Sequence, residues 1–199
     1  MSYSLAKRSW LLGVLNSPIV KILEGSIFLT LLAKISFPLP FTPTPITFQT
    51  LGVYCIGVAY SPLVAFSSVV AYLLEGLFFP VFYGAEYGVN AFFRPTAGYL
   101  YAFPLTAAFI SQLYRLYKNP SNCILVSILT GAASIILVFG SIWLAIFCYL
   151  LSTTEFLDLV LGLQLGALPF IPGEVVKIAL VVQGRMAVQF FQKQYLRYR

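Results

Sequence analysis

The chain has no histidine among its 199 residues. Imidazole acid–base chemistry, Ser–His and Cys–His dyads and histidine metal sites are excluded outright. Charge is almost as scarce. Only 9% of residues are charged, six acidic and twelve basic, where a soluble domain carries about 25%. There is one aspartate, Asp158, so paired catalytic aspartates are impossible. There is no G-x-S-x-G turn and no G-x-x-x-x-G-K-[ST] loop, so neither a nucleophile elbow nor P-loop ATP hydrolysis is available. The three cysteines, Cys55, Cys123 and Cys148, all lie in apolar runs without metal-ligand spacing and read as small buried hydrophobes. No linker, low-complexity tract or internal repeat appears, and without inverted repeats the pattern of a self-contained secondary transporter is missing. Lys7 and Arg8 precede a short apolar patch that ends in Asn16-Ser17-Pro18 without a cleavage pattern, so residues 1–18 read as an interfacial cytoplasmic segment rather than a secretory signal.

What the chain has in quantity is apolar surface: 60% hydrophobic residues and a mean hydropathy of +0.91. The bilayer is the natural solvent for such a chain. The pattern predicts an all-α integral membrane protein, a single domain over 1–199 with a membrane core over 19–190 and a basic tail over 191–199. Six spans are expected: 19–35, a short one over 51–60 that gains length if 46–50 are helical, 63–79, 96–114, 123–151 and 174–190. An amphipathic helix is expected over 154–166. With both termini cytoplasmic, the inner ends carry Lys7, Arg8, Lys21, Arg115, Lys118, Arg185, Lys193, Arg197 and Arg199. The outer ends carry only Lys34 and Arg94. That asymmetry supports the span count independently of hydropathy, and it explains the positive net charge without nucleic acid.

The same topology gathers the unusual polar residues in the outer half. "PLPFTPTPITFQT" (38–50) holds four prolines and forms a stiff extended strap between the first two spans. Glu174 and Lys177 are three apart and share a helical face at the start of the last span. Charges at membrane depth cost about 2.5–3.5 kcal/mol each on insertion scales, so they face protein or a water-filled cavity. Arg94, before Pro95-Thr96, sits at the mouth. Gln49, Asn90 and Tyr99 add neutral donors and acceptors. Glu75 is expected as an internal partner of Arg94, Lys34 as a snorkelling lysine and Glu86 as a solvated loop charge. Cations beside few carboxylates, among Phe, Tyr, Leu and Pro, suit an amphipathic acid.

"PLPFTPTPITFQTLGV" (38–53), "GLFFPVFYG" (76–84), "RPTAGYLYAFPL" (94–105) and "LPFIPGEVVKIAL" (168–180) together resemble the BioY family. Its members are the biotin-specific substrate-binding (S) components of energy-coupling factor (ECF) transporters. The resemblance runs in order from about residue 22 to 183. It implies six membrane helices and a biotin pocket near the outer side. It also implies partners in the bilayer: a transmembrane coupling protein and a pair of ABC-type ATPases that supply the energy. No cofactor is implied; biotin is cargo. The family's acid-x-x-Lys pair falls on Glu174 and Lys177, its Pro-Thr-x-Gly-Tyr stretch on Pro95, Thr96, Gly98 and Tyr99, and Tyr83 lies in a matched stretch. This chain departs in having Glu174 where Asp is frequent, Arg94 where Gly is common, and fewer glycines in "YGAEYGVN". The small-residue seam expected on the first helix for docking the coupling protein is best met by Ser26 and Thr30. An S component for another small carboxylate vitamin, or a self-contained secondary transporter, remains the alternative.

Overall fold

The computed structural model describes residues 17–118, 120–151 and 157–197. The expected interfacial segment before residue 17, with Lys7 and Arg8, lies outside the described residues, as do 152–156 and Tyr198 and Arg199. Among the described residues, seven α-helices follow in order: α1 (Pro18–Ala33), α2 (Gln49–Ala59), α3 (Pro62–Glu75), α4 (Ala97–Leu116), α5 (Asn122–Leu150), the short α6 (Leu159–Gly166) and α7 (Ile171–Arg197). The six longer ones fall on the six expected apolar segments. Ser17 starts α1 by accepting a hydrogen bond from the Val20 N–H, with Pro18 in the first turn where its missing N–H costs nothing. Ser121 caps α5 in the same way. Pro62 opens α3.

Four boundaries differ from expectation by more than two residues; one is the end of α7, which runs to Arg197 rather than stopping at 190. Helix α3 ends at Glu75, not 79, and Gly76 closes it. Helix α7 begins at Ile171, because Pro172 is compatible with a first turn and the Leu168–Phe170 3₁₀ turn leads straight into it. The helix expected over 154–166 starts at 159, set by Asp158, whose carboxylate accepts the Leu161 N–H at 2.9 Å. At about 1.5 Å per residue, the 29 residues of α5 reach further than the bilayer's apolar core. The 11 of α2 fall short of it. Two stretches of the described residues, Asn122–Leu150 and Leu159–Phe190, are long and apolar enough to cross a membrane on their own.

The core lies where α4 packs between α3 and α5, with α2 and α7 closing the bundle; Leu29, Val53, Ile56, Val69, Ile110, Leu129 and Ile136 are all buried there. Outside it, Ile19, Ile27, Leu31, Leu63, Leu105 and Val176 point outward from their helices, an arrangement that an apolar solvent accommodates and water does not. At the α4–α5 contact the helices approach so closely that a Cβ on Gly98 would lie 2.2 Å from the Trp143 Cβ.

The small-residue face of α1 is used inside the chain. A Cβ on Gly25 would lie 2.6 Å from Ser68 Oγ of α3. Ser26 is fully buried on this contact and donates to Glu75 Oε2 at 2.5 Å. Thr30 is half-buried with its hydroxyl enclosed. The Ser26 part of the expected docking seam is therefore corrected, because Ser26 serves α1–α3 packing. Glu75 likewise partners Ser26 rather than Arg94.

The polar residues separate to the two ends of the bundle. At one end Ser111 Oγ donates to Tyr60 O, and Arg185 stacks on Tyr114 and donates to Pro120 O. At the other end the 34–48 strap, the 76–96 loop, α6 and the start of α7 converge. The strap is closed at its base by a short antiparallel pair, β1 (Ser36–Phe37) with β2 (Ile46–Thr47).

Candidate ligand-binding site

The first two turns of α7 carry the most heavily buried charges in the described residues. Glu174 is 5% and Lys177 4% exposed. Lys177 Nζ lies 2.7 Å from Glu174 Oε1 and donates also to Thr50 Oγ1 at 2.7 Å. Thr50 in turn donates to Glu174 Oε1 at 2.9 Å, and the Tyr54 hydroxyl donates to Oε2 at 2.5 Å. Thr50 and Tyr54 are four apart on α2, so one helical face delivers both. A buried ion pair is tolerated when geometry is good and remaining lone pairs are met. Here the carboxylate receives three donors. The ammonium has three protons and uses two on these partners.

This cluster forms one wall of a pocket whose void is about 640 Å³ with its open mouth included. Phe82, Leu100, Phe103, Ile136 and Phe170 supply apolar walls. Among the residues expected from sequence, Gln49, Tyr83, Tyr99, Glu174 and Lys177 line it. Gln49 is held on both sides: its amide donates to the Tyr72 hydroxyl at 2.7 Å and accepts from Thr47 Oγ1 at 2.9 Å. Tyr99 lies flat over α5, where a Cβ on Gly140 would fall 2.1 Å from its ring, and its hydroxyl donates to Gly166 O at 2.6 Å. The strap reaches the pocket through Thr44, Pro45 and Thr47, and Thr42 Oγ1 ties it to α6 by donating to Leu165 O at 2.8 Å.

Two expected residues do not line the pocket. Asn90 sits exposed on the Val89–Phe93 3₁₀ turn. The Arg94 side chain is 53% exposed and pairs with Glu86; its carbonyl accepts the Trp143 indole N–H at 2.7 Å. Glu86, expected as a solvated loop charge, lines the pocket with its side chain 19% exposed. Burial pushes its carboxyl above the ordinary carboxylate range, against the opposite pull of the Arg94 guanidinium. Lys34 does not simply snorkel. Its ammonium donates to Phe82 O at 2.9 Å and to Pro80 O, pinning the 76–96 loop to the end of α1. Sequence reasoning missed Thr50 and Tyr54 and placed Glu86 in solvent, while Thr96, in the motif matched from sequence, does line the pocket. The i,i+4 hydroxyls of Thr50 and Tyr54 were a usable signal, whereas the inward turn of Glu86 depends on Gly84 and Ala85 at φ of 64° and 60°.

The sequence profile of the BioY family matches residues 7–192. Biotin transporter BioY2 of Lactococcus lactis subsp. cremoris is 30% identical over 159 residues, spanning 79% of this chain and 81% of that protein. The probable biotin transporter BioY of Pyrococcus horikoshii is 34% identical over 141 residues, 70% of this chain and 77% of that protein. A crystal structure of the S-component for biotin from an ECF-type ABC transporter superposes with a TM-score of 0.74 at 26% identity, over 88% of this chain and 90% of that one.

Proposed function

This chain belongs to the BioY family, and on that premise we propose that it captures biotin on the outer side of the plasma membrane for uptake, as the S component of an ECF transporter. It spans the bilayer six times with both termini cytoplasmic. A separate coupling protein and an ATPase pair supply the energy. The basic residues at helix ends support the orientation: Lys21, Arg115, Lys118 and Arg185 gather at one end, Lys34 and Arg94 at the other.

The observation that carries the reading is the buried Glu174–Lys177–Thr50 cluster in the wall of a mostly apolar pocket. Its two charges cancel, which suits a neutral polar head better than a free anion. A cyclic urea offers two N–H donors and one carbonyl acceptor. Glu174 supplies acceptor lone pairs and Lys177 a further N–H. Phe82, Phe103 and Phe170 give the sulfur-containing ring and alkyl chain apolar contact. Replacing Lys177 with Met removes a charge-assisted donor worth about 1.5–3 kcal/mol, so biotin binding to the purified protein should weaken by one to two orders of magnitude. Undiminished affinity of K177M would refute the assignment.

A further inference from the structure

The pocket's charges do not favour an anion. Its wall holds two carboxylates, Glu86 and Glu174, and one cation, Lys177, whose charge Glu174 meets at 2.7 Å. Of the other two cations at this end, Arg94 is paired with Glu86, and Lys34 is held on the Pro80 and Phe82 carbonyls. An acid with an apolar body must leave its carboxylate somewhere, and the Arg94 guanidinium, which sits on a carboxylate of the pocket wall, is already paired.

Geometry shows which parts are free to rearrange. The backbone of Glu86 is fixed on both sides: its N–H donates to Tyr83 O at 3.2 Å and its carbonyl accepts the Phe82 N–H at 3.3 Å. Lys34 holds Phe82 O in turn. The Arg94 backbone is held by Trp143. The two side chains are therefore the movable elements on rigid supports. The guanidinium has five N–H donors in a planar fork suited to a carboxylate, and it meets Glu86 through one nitrogen.

We propose that Glu86 is a specificity residue that competes with the ligand's carboxylate for Arg94: binding of an acid exchanges one carboxylate on the guanidinium for another, while a neutral ligand leaves the Glu86–Arg94 pair in place. The proposal rests on the biotin reading above. It makes discrimination between acid and ester depend on Glu86's charge, acting through Arg94. The titratable and charged groups around Glu86 are Arg94, Tyr83 on its own turn, Tyr99 of α4, and Glu174 and Lys177 of α7, with Lys34 behind the turn. Burial raises the Glu86 carboxyl, so mild acid neutralises it before an ordinary carboxyl and frees Arg94.

The test measures dissociation constants of biotin and biotin methyl ester for the full chain in detergent, parent against E86Q, from neutral to mildly acidic pH. Expected in E86Q are a rise of up to about tenfold in the ratio of biotin to ester affinity and a flattened pH dependence of that ratio. In the parent, the acid-to-ester affinity ratio should rise as pH falls, until the ligand's own carboxyl protonates. R94Q should lower biotin affinity, and E86Q/R94Q should match R94Q. If E86Q weakens acid and ester alike, Glu86 is a wall or donor-accepting residue and the competition is overturned. If the folded parent binds neither ligand, the biotin reading fails, and the exchange fails with it.

Discussion

The strongest energetic consequence of the structure concerns the Glu174–Lys177 pair. Lys177→Met leaves the Glu174 carboxylate buried with only the Thr50 and Tyr54 hydroxyls as donors. Breaking a buried pair from one side costs about 3–5 kcal/mol. Two hydroxyl donors remain, each worth about 1.5–3 kcal/mol to a charged acceptor, so a loss near the lower end, about 3 kcal/mol, is expected. Glu174→Gln removes the countercharge and leaves the ammonium with neutral acceptors, Thr50 Oγ1 and the new amide carbonyl, and should cost a similar amount. The double variant removes both charges and keeps an amide that Thr50 and Tyr54 can still meet. It should recover about 2–3 kcal/mol relative to the sum of the singles, the upper part of the range for contacting residues. Unfolding in detergent micelles, followed by circular dichroism across the four proteins, gives the coupling. Additivity within about 0.5 kcal/mol would refute the claim that these two groups neutralise one another. The double variant should fold yet fail to bind biotin, which separates the pair's structural role from its contact with ligand.

Two further outcomes follow from the packing. Replacing Pro43 and Pro45 with Gly loosens the strap by roughly 1–2 kcal/mol in total and should speed ligand release by about five- to thirtyfold; unchanged release rates in a pulse-chase filter assay would discard the strap's role. Gly140→Ala places a methyl inside the Tyr99 ring, costs about 1–3 kcal/mol by overpacking, and should lower both melting temperature and ligand affinity; an unchanged affinity would show that Tyr99's position on α5 is not what shapes the pocket.

Much of this was legible because low-charge membrane sequence makes each polar residue conspicuous. Glu174 and Lys177 stand out for their cost at that depth, and the prolines of the strap for their unsuitability inside a helix. The helix order followed from apolar runs and the placement of basic residues. What stayed hidden were partners distant in sequence. Nothing local says that Glu75 meets Ser26, 49 residues away, or that Lys34 reaches across to Phe82 O. Glu86 looked solvated because it lies in a polar loop; two consecutive positive φ values turn it inward. Ser26 looked like an outward seam because small-residue spacing is the same whether a helix packs on its own chain or on another.

The central claim is tested most directly by a ligand-dependent thermal shift on the purified protein, comparing biotin with thiamine, riboflavin and niacin. A ligand that binds only the native state stabilises it by about 2.7 kcal/mol at a hundredfold excess over its dissociation constant. A clear rise in melting temperature is expected with biotin and none with the other three. A rise with a different vitamin and none with biotin would contradict it.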